Sequence, residues 1–331
     1  MAQRIIFPER GQVRLDSFEP SVPGAGEILV RAQYSLMSIG TETIILHARY
    51  ERGTHFDRMF SFPQLRTGVQ TVGVVEGAGR GVTDFQEGDP VYMRVAHTSH
   101  WTLPAEQCSE VPADIDRKQA GWCGLAKTAF RAAHAAPFAA GGNVLIVGAG
   151  PVGQMTLRWA RALGMVKIAV VDMAPRRLEF AASGGATHCF AGPLAVQREA
   201  LLAYSDRDGF DVVVDTTGNA AVFSAALGVV GTFGKLVLLG DTGYPSQQCL
   251  TSDVMSKGIT IVATHDHHNR GGWTQRRVDA RFFELVLQGA FHLDGLITHE
   301  FSPEDCVAAY ALAEDQRDET MGVLFDWTTM K

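Results

Sequence analysis

The sequence predicts an α/β fold in which a parallel-sheet unit is inserted into a β-rich domain. Three observations carry this. An apolar strand runs into a Gly-x-Gly-x-x-Gly turn at residues 143–153, and a second apolar strand ending in Asp172 follows one helix later. Near-continuously apolar segments at 143–147, 166–171, 211–215 and 235–239 alternate with helix-like segments at 154–163, 175–183 and 219–229, the pattern of buried parallel strands and their crossovers. The flanking stretches instead carry short alternating strands and turn chemistry.

In chain order, residues 26–34 and 70–77 alternate at the strand period, and Gly88-Asp89-Pro90 makes a turn before Val91-Tyr92-Met93. The glycine turn comes next. Gly148 permits the tight bend, Gly150 lets the backbone approach a pyrophosphate, and Gly153 lets helix and strand pack closely. Pro151 and Val152 open the helix, whose unpaired N–H groups and dipole favour an anion. Asp172, at the tip of the second strand, is placed to accept from both adenosine ribose hydroxyls and to repel a 2′-phosphate, so NAD is expected rather than NADP. Arg176 and Arg177 follow; each suits either a solvated first helical turn or a cofactor contact. The apolar run 258–263 ends in Thr264-His265-Asp266-His267-His268-Asn269. A helix at 277–288, another near 303–313 and a closing strand at 321–326 complete the chain.

Composition bounds the function. The 331 residues, 46% of them hydrophobic, suffice for two domains. Lys+Arg 29 against Asp+Glu 36 gives a formal charge of −7, which speaks against nucleic-acid or anionic-membrane partners. The five cysteines, at 108, 123, 189, 249 and 306, show no CxxC spacing. With no apolar leader and no spanning segment, a reducing cytoplasm is the expected location.

These residues resemble the medium-chain dehydrogenase/reductase superfamily, the relatives of zinc alcohol dehydrogenase. The similarity runs along essentially the whole chain: Pro23-Gly24-Ala25-Gly26-Glu27-Ile28-Leu29-Val30, Gly73-Val74-Val75-Glu76, Gly88-Asp89, Thr128-Ala129, the glycine turn, Arg177-Leu178 to Gly185-Ala186-Thr187, and Leu296-Ile297-Thr298-His299. It implies a GroES-like β-barrel catalytic domain formed by residues 1–124 and 265–331, interrupted by a Rossmann-type cofactor domain at 125–264. It also implies cofactor contacts from Thr128, Thr217, Leu239 and Gly240, a small-molecule substrate, and a homodimer paired through the apolar edge at 258–263.

The family's catalytic zinc is where the sequence departs. Ile39 stands at the position of the first ligand, a Cys, and Val69 at that of the second, a His; Gly124, beside Cys123, aligns with the third. Aliphatic side chains cannot bind a metal, so zinc-independent hydride transfer is expected. A proton acceptor is then needed, and an oxyanion must be held by hydrogen bonds or a cation. His97 is the first candidate acid/base and His100 the second, because the resemblance puts 95–101 where the chain turns over the substrate cleft. Thr41 matches the family's proton-relay position, with Glu42 beside it and Lys127 at the mouth of the nicotinamide pocket. Gln70, His265 and His267 are expected to line the substrate, with 265 and 267 facing one way and 266 and 268 the other if the strand continues. So polar a wall suits a sugar, cyclitol or other polyol oxidised as a secondary alcohol. Two other readings stay open: an NADPH-dependent enoyl or quinone reductase, and a non-catalytic NAD-binding sensor.

Overall fold

The computed structural model describes residues 1–205, 208–269 and 271–330. The strands, in chain order, are β1 (Ala2–Ile6), β2 (Arg14–Phe18), β3 (Glu27–Leu36), β4 (Thr71–Ala78), β5 (Pro90–Met93), β6 (His100–Pro104) and β7 (Cys108–Glu110). Then come β8 (Asn143–Val147), β9 (Lys167–Asp172), β10 (His188–Ala191), β11 (Phe210–Asp215), β12 (Val230–Leu238), β13 (Thr260–Ala263), β14 (Ile297–Phe301) and β15 (Gly322–Asp326).

Strands from both ends of the chain share one sheet, in the order β14-β15-β3-β4-β5-β7, with β6 also paired to β3. Its long strand β3 turns Ile28, Val30 and Ala32 inward by simple alternation. The inserted sheet is parallel throughout, in the order β10-β9-β8-β11-β12-β13. Helices cover both faces, so all five residues of β8 are buried, which is why this segment reads as an unbroken apolar run. The chain thus has a GroES-like domain and a Rossmann-type domain, the α/β architecture expected.

The expected elements appear with small shifts. The segment 235–239 is the end of the longer β12, and the helices are Pro151–Ala162, Pro175–Ser183 and Ala220–Leu227. Strand β10 and the helix Leu194–Ser205 are additions. Strand β10 lies at a sheet edge with only Phe190 buried, so its sequence lacks the apolar run of the central strands. Residues 39–46 form a helix. The helix Cys123–Ala135 crosses the boundary expected at 124/125. It packs on Pro151–Ala162 and on Gln275–Leu287 in one core with Phe282, Phe291 and Trp159, and the Trp159 indole donates to Ala126 O at 2.7 Å.

The carboxyl ends of all six parallel strands lie along one edge. There the backbone is crowded enough to demand glycine. Gly148 has φ +93°, and a Cβ on Gly153 would sit 1.9 Å from the Gly148 carbonyl oxygen. Gly153→Ala is therefore expected to lower stability by about 1–3 kcal/mol and to displace the turn. Chemical denaturation reads this directly; unchanged stability together with unchanged dinucleotide binding would refute the close-packing role.

Candidate active site at the domain seam

Gly150 is the N-cap of the helix Pro151–Ala162, whose Pro151 sits in the first turn where its missing N–H costs nothing. Val152 packs into two cores. Asp172 Oδ2 accepts from the Ala149 N–H at 2.6 Å and Oδ1 from Ala174 N–H at 2.8 Å, so this carboxylate braces the glycine turn. Arg177 reaches across the seam and donates to the Arg317 carbonyl; its guanidinium also lies 3.8 Å from where a Gly150 Cβ would be. Burial lowers the Arg177 pKa, and Asp172 opposes that shift. Arg176 instead pairs with Glu179 at 2.7 Å on the exposed helix face. Further along the edge, Asp215 Oδ1 accepts from the Thr217 N–H and hydroxyl, and its backbone carbonyl accepts from Leu239 and Gly240. Thr128 back-bonds to the Gly124 carbonyl at 3.1 Å within its helix.

The position of the family's catalytic zinc does not fit a metal. Ile39 is buried at the start of its helix and Val69 is half-buried. At Gly124 a Cβ would lie 2.6 Å from the Tyr92 hydroxyl and 2.8 Å from Gln70 Cγ, so a liganding side chain has no room there. Cys123 turns elsewhere: burial, then the Asp279 carboxylate, hold its thiol well above the ordinary range, away from the thiolate a metal needs.

Several expected site residues lie elsewhere than expected. His97 is fully buried, with Nδ1 2.7 Å from Ser35 Oγ and Nε2 3.1 Å from Glu42 Oε2. Glu42 also accepts from the Ser38 N–H, from Thr67 and from Tyr310, while the Trp327 indole donates to Ser35. This closed network ties α-helical, β3 and C-terminal segments together inside the barrel domain, so His97 presents no free face to a cleft. Gln70 is likewise interior: its Oε1 accepts from the Leu125 N–H at 2.9 Å and satisfies an orphan donor of the helix Cys123–Ala135. His100 sits on β6 beside Ser99 and Glu76, in an outer cavity of about 200 Å³ with Arg4, Arg66 and Trp101. Lys127 is buried between Asp266 and Gln275, each 3.3 Å away, and Arg94 also pairs with Asp266. Burial lowers the Lys127 pKa and Asp266 partly restores it. Thr41 alone of the expected catalytic set is exposed.

The run 264–269 is a turn, because β13 ends at Ala263; strand alternation therefore does not apply to it. Asp266 points inward to the two cations, His265 and His267 stack at 4.9 Å, and His265 faces Asp241. Asp241 follows the carboxyl end of β12 as His265 follows that of β13, so both stand on the edge shared with the glycine turn. From the other domain, His55 Nε2 approaches Asp241 Oδ2 to 2.6 Å. Burial raises the Asp241 pKa, with His55 and His265 acting against it, and burial lowers that of His265. Asp241 was within reach of sequence reasoning, lying just past a predicted strand end. His55 carried no signal of its own. A Cβ on Gly243 would lie 2.0 Å from the Arg49 carbonyl oxygen, and Glu51 N–H donates to Gly243 O at 2.8 Å, so 241–247 docks tightly on 49–55.

The comparisons with known proteins agree with this architecture. Residues 24–140 match the alcohol dehydrogenase GroES-like domain, and 151–273 the zinc-binding dehydrogenase domain. An uncharacterized zinc-type alcohol dehydrogenase-like protein of Escherichia coli, YdjJ, is 24% identical over 97% of this chain and 98% of its own. An Escherichia coli oxidoreductase/dehydrogenase of unknown specificity superposes with TM-score 0.86 at 21% identity, covering 98% of this chain and 99% of that one. Galactitol-1-phosphate dehydrogenase from Escherichia coli gives 0.82 at 20% identity, with the same coverage. Other solved chains of this fold hold NADH or NADP. The chain belongs to the zinc-type alcohol dehydrogenase-like oxidoreductases of the medium-chain dehydrogenase/reductase superfamily.

Among the described residues, no helix is long and apolar enough to cross a membrane.

The His97–Glu42 pair yields a stability test. Burial alone would raise the Glu42 pKa; His97 and the hydrogen bonds from His97, Tyr310 and Ser38 outweigh it and bring it below 4.5. A depressed carboxylate stabilises the fold above its unfolded pKa and loses that contribution as pH falls through the folded value. His97→Ala is expected to cost about 3–5 kcal/mol at neutral pH by leaving Glu42 buried without its partner, with the deficit shrinking in acid. Denaturation at pH 7 and pH 3 measures both. A variant of unchanged stability that has lost turnover together with a neutral ionisation would restore His97 as the acid/base.

Proposed function

We propose that the chain is an NAD-linked dehydrogenase that interconverts a polar secondary alcohol and its ketone, with no zinc ion at the 39/69/124 position. The observation that carries this reading is the pairing of a Gly150-headed helix with Asp172 at the tip of the neighbouring strand. The helix N-terminus suits a pyrophosphate. The carboxylate suits free ribose hydroxyls and disfavours a 2′-phosphate. The cofactor then runs along the carboxyl edge, adenosine over β9 and nicotinamide towards Thr217, Leu239 and Gly240. That order follows the strand order β9-β8-β11-β12.

In the oxidative direction, hydride passes from the carbinol carbon to the nicotinamide, and the hydroxyl proton passes to an acceptor and then to solvent. Thr41, exposed on the helix Ile39–Leu46, is the accessible member of the expected relay. The polar rim of His55, Asp241, His265 and His267 supports a polyhydroxylated substrate more than an aliphatic one.

Calorimetry should find NAD bound more tightly than NADP. Asp172→Ala should weaken NAD by about 1–3 kcal/mol, through lost charge-assisted hydrogen bonds. Tighter binding of NADP by the unmutated protein, with turnover of enones by NADPH, would favour the reductase reading instead.

Strand β13 forms one edge of the cofactor sheet, with Thr260 and Ala263 exposed. An unpaired edge of this kind is a hazard unless covered, and a two-fold dimer covers it with itself. Light scattering at micromolar concentration should therefore give twice the 35.8 kDa chain mass. A monomer mass would refute the pairing.

A further inference from the structure

Two imidazoles and a carboxylate, drawn from both domains, converge at the seam. Asp241 Oδ2 lies 2.6 Å from His55 Nε2 and 4.0 Å from His265 Nε2, and the donor atoms of all three residues fall within 4.8 Å of one another. We propose that His55, Asp241 and His265 bind one divalent first-row transition ion, of the zinc or cobalt kind, which ties the barrel domain to the cofactor domain. This site is separate from the family's zinc position, and the proposal does not depend on the hydride-transfer reading.

The donor set is the first argument. Two imidazole nitrogens with one carboxylate oxygen suit borderline divalent ions and leave coordination positions open. Spacing is the second. Metal–donor bonds of about 2.0–2.1 Å at tetrahedral angles put neighbouring donors roughly 3.3 Å apart. The two Asp241–histidine separations, 2.6 and 4.0 Å, straddle that value, so shifts of under about 1 Å would close the cage around an ion. Exposure is the third. Each side chain is 33–38% exposed, enough for an ion to enter and for water to fill the remaining positions. An ion needs imidazole and carboxylate lone pairs, so any proton held between His55 and Asp241 leaves to solvent on loading.

The docking of 241–247 on 49–55 holds the donors from the two domains near each other before an ion arrives. A rival grouping, His265 with Asp266 and His267, has similar spacing. Asp266, however, is committed to Arg94 and Lys127, and the His267 side chain is 63% exposed with its Nδ1 4.0 Å from Asp266.

The test is titration of chelator-treated full-length protein with Co²⁺, followed by calorimetry and visible absorption, and then displacement by Zn²⁺. One Co²⁺ per chain is expected, with a d–d band and a raised melting temperature. His55→Gln and His265→Gln should each weaken binding by about 100-fold or more, while His267→Gln should leave it unchanged. Melting of the metal-free variants checks that they fold; Asp241→Asn, nearly isosteric, serves if a histidine variant does not. Absence of stoichiometric binding, binding that survives His55→Gln, or binding lost only in His267→Gln would overturn the proposal.

Discussion

Everything at this site depends on one constraint: six parallel strands end on the same edge, and a second domain must close against that edge. Backbone sterics set how near the pieces come. Gly153 touches the Gly148 carbonyl, Gly240 sits against Thr216 and Gly218, and Gly243 rests on the Arg49 carbonyl. With no Cβ at these points, helix, turn and outer domain approach to contact distance. The result is a seam with the glycine turn, braced by Asp172 and flanked by Arg177, at one end, and an imidazole–carboxylate group at the other, around Asp241.

The surroundings of Ile39, Val69 and Gly124 follow the same logic of space and charge. The space at Gly124 is filled by its neighbours, Tyr92 and Gln70, and Gln70 accepts from the Leu125 N–H at the start of the helix Cys123–Ala135. Buried polar groups nearby gather on three carboxylates: Lys127 and Arg94 on Asp266, His97 and Tyr310 on Glu42, Ser109 and Cys123 on Asp279. Burial pushes the Asp279 carboxyl up to about 6 despite the hydrogen bonds it accepts. Each set joins separate segments of the chain. Charges buried in this way hold structure unless a partner is removed.

The cofactor half of the molecule was legible in the sequence because its physics is local. A glycine turn, the helix behind it and an acid at the next strand tip sit within thirty or so residues, and strands buried on both faces advertise themselves as apolar runs. The catalytic half was less legible because its contacts are not local. Glu42 meets His97 and Tyr310, 55 and 268 residues away, and nothing in a short window distinguishes a histidine locked in a barrel from one lining a cleft. The residue types around 265 were noticed, and His265 and His267 share a side as expected, but the strand ends two residues earlier, so a turn and not strand alternation sets the direction of Asp266 towards Arg94 and Lys127. His55 becomes visible only once the two domains are brought together.

Zinc-edge anomalous diffraction from a crystal grown with NAD and zinc is the most direct measurement of the central claim, a dinucleotide site whose family metal position is closed. The account predicts NAD laid along the carboxyl edge, its adenosine ribose on Asp172 and its nicotinamide beside Leu239 and Gly240, with no anomalous peak among Ile39, Val69 and Gly124. A zinc peak among those three residues, or a cofactor bound away from that edge, would contradict it.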